Sequence, residues 1–499
     1  MNAPLRRVGV VLLVLFGLLF VNLNWVQVYK GEEYRTSPLN ARVQLAEYKR
    51  PRGVIEAQGK GLASSVATDG ELKYLRKYPF PSTYAHVVGY KPVNMAATAV
   101  EQAENEFLAG ESDQQFAERF RSMVTGKETS GGNVLLTLSL RTQQTAFAEL
   151  SRNQVGARRG AVVALDPRTG AVQAMVSFPS FDPNPLVSHN TRAAQAAFDR
   201  LAADPARPLT NRAVAETLPP GSTFKVILAA AALESGVAAT TRIPAGPAYQ
   251  PPQTTQVIRN AHPSICPEAQ VTLLNALTES CNTGFAQLGV RLGADRVKAK
   301  AQAFGFGDEE LTVGQTGGPG MPVAASQTGE MARPQGGADP AALAQSSIGQ
   351  RDVRMTPLQG AMIAAAVAND GQQMRPYVVQ QLLAADRRPL HTAAPRTLRE
   401  PVEPQVAAEL RKMMVSVVRS GTGGNARIDG VEVGGKTGTA QTGVAADHGW
   451  FIGFAIRDGK PVSAVAVVLE NAGSGGSGEA TRIAGRVMRA VLADGRGGN

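Results

Sequence analysis

The chain has 499 residues, enough for two or more domains, because a domain usually takes about 100 to 200 residues. Its formal net charge is +10, but aromatic residues make up only 5% and no run of consecutive basic residues exceeds two, which argues against nucleic-acid binding. The basic charge instead favours residence near anionic lipid or other anionic polymers, and much of it is ordinary solvated surface.

An uncharged stretch at residues 8–28 follows Arg6 and Arg7 and is rich in Leu, Val and Phe. About twenty such residues span the hydrocarbon core of a bilayer. Positive charge on the short side predicts that residues 1–7 are cytoplasmic. No small-residue cleavage site follows Phe20, so we predict an uncleaved single-pass signal anchor rather than a cleaved signal peptide. The rest of the chain would then lie outside the cytoplasmic membrane.

Three further regions are predicted after the anchor. Residues 29–156 are expected to form a separate, elongated module without a catalytic set of its own, best interpreted as a pedestal that binds a partner. Residues 157–494 are expected to form the catalytic domain, and residues 495–499 a flexible tail.

The pattern of the larger domain predicts an α/β fold. Two β-rich runs at 160–165 and 171–175 flank an Asp-Pro-Arg-Thr-Gly turn, which is typical of a hairpin. Periodicity predicts helices at 224–234, 273–291, 357–369 and 481–492, and strands at 449–457 and 461–469.

Ser222 and Lys225 stand at the start of the predicted helix 224–234, directly after Gly221 and two prolines. A lysine three residues after a serine lies on the same helix face, where its free amine can take the proton of the hydroxyl. The helix N-terminus would stabilise the oxyanion formed when the serine attacks a carbonyl. A lone Ser-x-x-Lys pattern is usually an ordinary helix, so the interpretation depends on its context.

A second segment, Ser280-Cys281-Asn282, lies within the apolar stretch 273–291. One interpretation is a polar connection between helices. The other is that Ser280 relays a proton between Lys225 and the leaving or attacking group, while the amide of Asn282 binds a substrate backbone.

A third segment, Lys436-Thr437-Gly438-Thr439, follows two glycines in a β-rich run. Glycines in a strand let a ligand approach the backbone closely, and an extended substrate can then add alongside as another strand. One positive charge and two hydroxyls suit a terminal carboxylate. The segment therefore favours substrates with a free C-terminus.

Cys266 and Cys281 are the two cysteines of the chain, and no Cys-x-x-Cys or His-Glu-x-x-His pattern occurs. We therefore expect no metal and no cofactor. In an oxidising compartment the two thiols could form a disulfide beside Ser280 and Asn282; two separate buried thiols are the alternative.

Together the three segments match the set S-x-x-K, S-x-N and K-T-G, which resembles the active-site motifs of penicillin-binding proteins and class A β-lactamases. The resemblance extends to other parts of the chain and identifies it as a member of the class B penicillin-binding proteins, most similar to actinobacterial ones. The further segments that carry it are residues 50–63, 104–110, 160–184, 348–359 and 448–451. Three positions depart from the usual family pattern: Ala57 and Gln58 replace Asp and Arg, and Arg351 replaces glycine.

The resemblance implies a multi-domain α+β protein: an anchor, a pedestal or dimerisation-like domain, and a transpeptidase domain with a five-stranded antiparallel sheet flanked by helices. It implies a D-Ala-D-Ala transpeptidase or carboxypeptidase-like acyltransferase with Ser222 as nucleophile, Lys225 as base and backbone N–H groups of Ser222 and Thr439 as the oxyanion hole. Expected partners are stem peptides of peptidoglycan, β-lactam antibiotics, the cytoplasmic membrane and a membrane glycan polymerase. A β-lactamase or penicillin sensor, and a non-catalytic scaffold, remain alternatives.

Overall fold

The structure is a computed structural model and describes residues 2–31, 34, 47–116, 130–333, 337, 339–443 and 445–495. The predicted tail beyond residue 495 lies outside the described residues. So do residues 35–46 and 117–129 of the predicted N-terminal module.

The chain begins with an apolar helix, α1 (Asn2–Asn24), continued by a π-helical turn at Trp25–Tyr29. The span Arg6–Tyr29 has a mean hydropathy of 2.3 and is not buried against the rest of the protein. It is long and apolar enough to cross a membrane, as the uncharged stretch predicted.

The N-terminal module contains short strands and helices. Its strands are β1 (Ile55–Ala57), β2 (Lys60–Ala67), β3 (Tyr74–Lys77) and β4 (Asn133–Leu136). Its helices are α2 (Pro81–Val88), α3 (Ala99–Ala103) and α4 (Asn105–Ala109).

The larger domain follows. Its helices are α5 (Leu140–Ser151), α6 (Thr191–Ala202), α7 (Arg212–Ala215), α8 (Lys225–Glu234), α9 (Leu273–Thr278), α10 (Asn282–Leu292), α11 (Ala294–Ala303), α12 (Pro340–Ser346), α13 (Pro357–Ala368), α14 (Pro404–Ser420) and α15 (Gly476–Ala493). Its strands are β5 (Arg159–Leu165), β6 (Val172–Phe178), β7 (Arg242–Pro244), β8 (Ala248–Tyr249), β9 (Ile258–Arg259), β10 (Gln270–Thr272), β11 (Thr312–Gly314), β12 (Gly320–Pro322), β13 (Gln373–Met374), β14 (Val379–Leu383), β15 (Pro389–Thr392), β16 (Thr397–Arg399), β17 (Glu432–Ala440), β18 (His448–Arg457) and β19 (Lys460–Glu470).

Five of these strands form the central sheet, in the order β17-β18-β19-β5-β6, and every neighbouring pair is antiparallel. The predicted hairpin is the pair β5 and β6. The strand β17 lies at one edge, so one side of its backbone is not paired within the sheet. A five-stranded antiparallel sheet flanked by helices is what the family resemblance implied, and that prediction is confirmed.

Both faces of the sheet are covered by helices, which explains why its strands are continuous apolar runs. Side chains alternate along a strand, so Val163 and Val162 point to opposite faces, into two separate cores. The first core contains the fully buried helix α13 and most of α8. The second is closed by α15 and α5. The three motif segments lie where α8, α9 and α10 meet the edge strand β17.

A second sheet joins the N-terminal module to the larger domain. Its order is β15-β14-β4-β1-β2-β3, so two strands from residues 379–392 complete a sheet that begins with residues 55–77. Arg387, in the turn between β14 and β15, forms an ion pair with Glu56 of β1 at 2.5 Å. Main-chain ladders therefore connect the two parts of the chain.

A buried cluster of charges holds the N-terminal module. Glu101 is fully buried and accepts hydrogen bonds from Arg52 Nε at 2.7 Å, Arg76 Nε at 2.6 Å and the hydroxyl of Tyr78 at 3.1 Å. The two guanidinium groups lower the pKa of Glu101 against the opposing effect of burial. Buried charges are tolerated only when they are paired in this way.

Candidate active site

The turn that carries Ser222 is a 3-10 helix, Gly221–Phe224, directly before α8 begins at Lys225. Its approach is anchored by backbone hydrogen bonds between Leu218 and Met355, at 2.9 and 3.0 Å, and by the bond from Gly221 N to Gly349 O at 2.9 Å. The helix predicted at 224–234 is therefore present, and Ser222 lies in the 3-10 turn that leads into it. Its side chain is half-buried.

Gly221 lets this turn pack against the edge strand. It has φ +53, and a Cβ at that position would lie 2.3 Å from the carbonyl oxygen of Thr439. Gly349 has φ +71 and would collide with Gly221 in the same way, at 2.0 Å. Only glycine fits such close backbone approaches. The backbone of Ser222 thus lies beside the part of β17 that carries Gly438 and Thr439.

Lys225 is fully buried, and the hydrogen-bond partners of its side-chain amine among the described residues come from the second motif. Its Nζ lies 2.7 Å from Oδ1 of Asn282, 2.8 Å from the carbonyl oxygen of Ser280 and 3.4 Å from Oγ of Ser280. The Ser222 hydroxyl makes no hydrogen bond with any residue that the structure describes. A catalytic hydrogen bond often tightens only when substrate is bound.

The prediction of one helix over 273–291 is wrong, and a polar connection between helices, the other interpretation of this stretch, describes the backbone here. The structure has two helices, α9 and α10, separated by Glu279-Ser280-Cys281. Ser280 has φ +66, in the left-handed region that ends a helix, and the side chain of Cys281 makes no capping hydrogen bond to α10. This break turns Ser280 and Asn282 toward Lys225, which a continuous helix would not do.

Lys436 is also fully buried and contacts the same serine. Its Nζ lies 2.9 Å from Oγ of Ser280 and 3.0 Å from the carbonyl oxygen of Thr437. The hydroxyl of Thr437 is hydrogen-bonded to that of Thr422 at 2.6 Å, whereas Thr439 is exposed. The three motifs therefore meet at Ser280, with the open edge of β17 beside them.

Burial lowers the pKa values of the two lysine amines at the site. Loss of hydration lowers the pKa of Lys225 to about 7, with smaller opposing effects from Cys281 and Cys266. Loss of hydration also lowers the pKa of Lys436 well below its ordinary value, and the charge of Lys225 lowers it further. Among the described residues, no hydrogen-bond partner of either amine is a carboxylate. A large unprotonated fraction of Lys225 near neutral pH follows from its burial.

The two cysteines are adjacent in space, as their predicted pairing required. Both are buried and both are free thiols in the structure, and Sγ of Cys281 lies 3.5 Å from Oγ1 of Thr283. The proximity of the two thiols lowers the pKa of Cys281 and raises that of Cys266. The disulfide stays a prediction.

Two contacts at the site were not anticipated from the sequence. The side chain of Asn260 accepts hydrogen bonds from the backbone N–H groups of Asn282 and Thr283, at 2.8 and 3.1 Å. The hydroxyl of Thr422 approaches Thr437. Both residues lie in loops with no recognisable motif around them, so nothing in the chain pattern pointed to them.

Comparison with known proteins agrees with this geometry. The profile of the penicillin-binding protein transpeptidase domain matches residues 160–489, and that of the penicillin-binding protein A dimerisation domain matches residues 52–134. The chain is 43% identical to the peptidoglycan D,D-transpeptidase PbpA of Mycolicibacterium smegmatis, over 99% of both chains. It is 42% identical to PbpA of Mycobacterium tuberculosis, over 99% of this chain and 98% of that protein.

Solved structures give the same result. The fold is similar to the imipenem acyl-enzyme complex of penicillin-binding protein A from M. tuberculosis, with a TM-score of 0.84 and 42% identity, over 90% of this chain and 100% of that one. The penicillin G acyl-enzyme complex of the same protein gives a TM-score of 0.81 and 41% identity, over 89% and 99% of the two chains. This chain belongs to the class B penicillin-binding protein transpeptidases.

Proposed function

We propose that this protein is a membrane-anchored peptidoglycan D,D-transpeptidase that cross-links stem peptides through an acyl-enzyme on Ser222 and is acylated there by β-lactams. The observation that carries the proposal is the convergence of all three motifs on one hydroxyl: Lys225 and Lys436 both reach Oγ of Ser280, at 3.4 and 2.9 Å. The two relatives named above are peptidoglycan D,D-transpeptidases, and penicillin-binding protein A of M. tuberculosis forms acyl-enzymes with imipenem and penicillin G, which supports the same chemistry here.

In the proposed acylation, Oγ of Ser222 attacks the carbonyl carbon of the terminal D-alanyl-D-alanine bond while its proton passes to Nζ of Lys225. Backbone N–H groups of Ser222 and Thr439 stabilise the oxyanion that forms. The C–N bond then breaks, and the departing amine receives a proton through the hydroxyl of Ser280. D-alanine leaves, and the donor peptide remains esterified to the enzyme.

The second half transfers the acyl group. The amine of another stem peptide attacks the ester, Lys225 and Ser280 take up its proton, and the free Ser222 hydroxyl is restored. Attack by water instead would give carboxypeptidase activity through the same intermediate. Asn282 and the edge strand β17 would hold the donor peptide, with Lys436, Thr437 and Thr439 near its carboxylate.

The fully buried Lys225 explains how such a base functions without histidine. An exposed lysine is an ammonium ion at neutral pH and cannot accept a proton. Burial lowers its pKa to about 7, near the value at which a general base is most effective.

Mass spectrometry of the intact protein after penicillin G treatment tests the proposal. We expect one added penicilloyl group, on the peptide that contains Ser222, and none in a Ser222→Ala variant. Ser235→Ala, an exposed serine that caps the end of the same helix, is the matched control and should label like the wild type. Labelling that survives Ser222→Ala would disprove the nucleophile.

The alternative of a β-lactamase is distinguished by the fate of the acyl-enzyme. A hydrolase needs a base that activates water, and the nearby Glu279 instead directs its carboxylate at the backbone N–H of Cys266, at 3.5 Å. We therefore expect the penicilloyl-enzyme to persist for many minutes. Rapid multiple turnover of penicillin would favour the hydrolase.

The N-terminal helix supports a single-pass anchor with the catalytic domain outside the cytoplasmic membrane. We further propose that the N-terminal module is the surface that binds a membrane glycan polymerase, because it lies between the anchor and the catalytic domain and carries none of the three catalytic motifs. Co-purification of a polymerase with the full chain, and its loss when residues 47–116 are replaced, would test this.

A further inference from the structure

The helix α10, which begins at Asn282, has no capping side chain of its own. Its N-cap residue is Cys281, whose thiol makes no hydrogen bond to the first backbone N–H groups of the helix. Such N–H groups need an acceptor, and an Asn, Asp, Ser or Thr at the N-cap usually provides it. Here the acceptor comes from another part of the chain, the loop after strand β9.

Asn260 provides this cap. Its Oδ1 accepts hydrogen bonds from the N–H groups of Asn282 at 2.8 Å and Thr283 at 3.1 Å. Its Nδ2 donates to the carbonyl oxygens of Gly246 at 3.1 Å and Ile265 at 2.8 Å, which fixes the orientation of the carboxamide. The Asn260 side chain thus connects the backbone at Gly246 and at Ile265 to the start of α10.

The residue before Asn260 orients the amide of Asn282. The carbonyl oxygen of Arg259 accepts a hydrogen bond from Nδ2 of Asn282 at 3.0 Å. With Nδ2 held on that side, Oδ1 of Asn282 faces Nζ of Lys225, 2.7 Å away. The position of the proposed base is therefore determined by the loop that carries Arg259 and Asn260.

We propose that Asn260 is a positioning residue for acylation: it caps α10 from outside and so holds Asn282 and the Ser280 link against Lys225. The inference rests on the proposed role of Lys225 as the base for Ser222. The break at Ser280 makes this support necessary, because a link with φ +66 at a non-glycine residue is strained and keeps its shape only when neighbouring contacts impose it.

The test measures the rate of acylation by penicillin G as a function of pH for the wild type and for Asn260→Ala. Without the cap, Oδ1 of Asn282 moves away and the ammonium form of Lys225 loses an acceptor, which disfavours that form. We expect acylation at the high-pH plateau to slow about tenfold or more, the lower end of what positioning contributes, and the midpoint of the acid limb to fall.

The matched control is Asn153→Ala. Asn153 also makes three hydrogen bonds that fix a loop, to Leu150 and twice to Ala157, but on the far side of the central sheet beside α5. The Asn153→Ala substitution should lower the melting temperature without changing the pH midpoint of acylation. If Asn260→Ala does not fold, Asn260→Ser, which keeps a shorter polar side chain, is measured in its place.

The outcomes separate this inference from the proposed function. Failure of the wild type to acylate at Ser222 would reject the function itself. Normal labelling of the wild type, together with an unchanged or raised midpoint in the Asn260 variant, would reject only the role of Asn260. A lowered midpoint and a slower plateau, with neither in Asn153→Ala, would establish it.

Discussion

Nζ of Lys436 lies 2.9 Å from Oγ of Ser280, so the lysine of the third motif contacts the serine of the second. Lys436 is fully buried, whereas Ser280 is only partly buried. A lysine whose only task is to attract a carboxylate would do so equally well from the rim of the cleft. From its burial against Ser280 we infer a second role for Lys436, as a donor that orients the Ser280 hydroxyl between the two amines.

Lys436→Ala should therefore impair the chemical step as well as binding. We expect the acylation rate constant at saturating penicillin G to fall about 10- to 100-fold, because Ser280 loses the donor that orients it, in addition to weaker binding of the carboxylate. Stopped-flow acylation at several antibiotic concentrations separates the two effects. Lys412→Ala, an exposed lysine on α14, is the control. A change confined to binding would contradict the proposed second task.

The pH dependence of acylation follows from the lowered pKa of Lys225. The amine must be unprotonated to act as a base, and its pKa of about 7 places the change within reach of ordinary buffers. The rate should be constant above this value and fall about tenfold for each pH unit below it. Pseudo-first-order labelling rates measured with wild-type protein check the prediction. An acid limb whose midpoint lies near the ordinary pKa of lysine would show that burial does not lower the pKa of the base.

The cysteine pair gives a prediction about redox state. Both thiols are buried and close enough to perturb each other's pKa, and the catalytic domain is expected outside the cytoplasm, where disulfides persist. We expect non-reducing peptide mapping of exported protein to find Cys266 linked to Cys281. Two thiols that alkylate freely after denaturation without reductant would contradict it.

The N-terminal anchor should remain attached to the mature protein. The apolar span Arg6–Tyr29 is a single helix long enough to cross a bilayer, and no small-residue cleavage site follows Phe20. N-terminal sequencing of protein extracted from membranes should begin at or near residue 1. A mature start after residue 20 would show that the span is a cleaved signal peptide.

The buried carboxylate of Glu101 should be a large contributor to folding stability. Glu101→Gln would leave Arg52 and Arg76 without their shared counter-charge, and loss of one partner of a buried ion pair usually costs about 3–5 kcal/mol in the free energy of unfolding. Chemical denaturation monitored by circular dichroism measures this. Glu106→Gln, an exposed carboxylate in the next helix, is the control and should change stability little. Equal stability of the two variants would contradict the argument.

Much of the site could be predicted from local patterns. Three local features could be predicted from neighbouring residues in the sequence. They are the prolines before Ser222, the i to i+3 spacing of Ser222 and Lys225, and the glycine-rich strand before Lys436. The edge position of β17 is also consistent with its glycines. The break at Ser280 was anticipated only as one interpretation, a polar connection between helices, because no glycine or proline stands at residues 279–282 to mark it.

The convergence of the motifs was decided by tertiary structure. Short-range preferences determine helices, turns and strands, whereas the 2.7 Å contact between Lys225 and Asn282 depends on the packing of α8 against α10. The same holds for the cap that Asn260 supplies to α10, and for the sheet that residues 379–392 complete with residues 55–77. Burial lowers the pKa of Lys225, and only the folded chain removes water from that amine. The residue types determine which chemistry is possible. Long-range packing sets the distances between the reacting groups and excludes water from them.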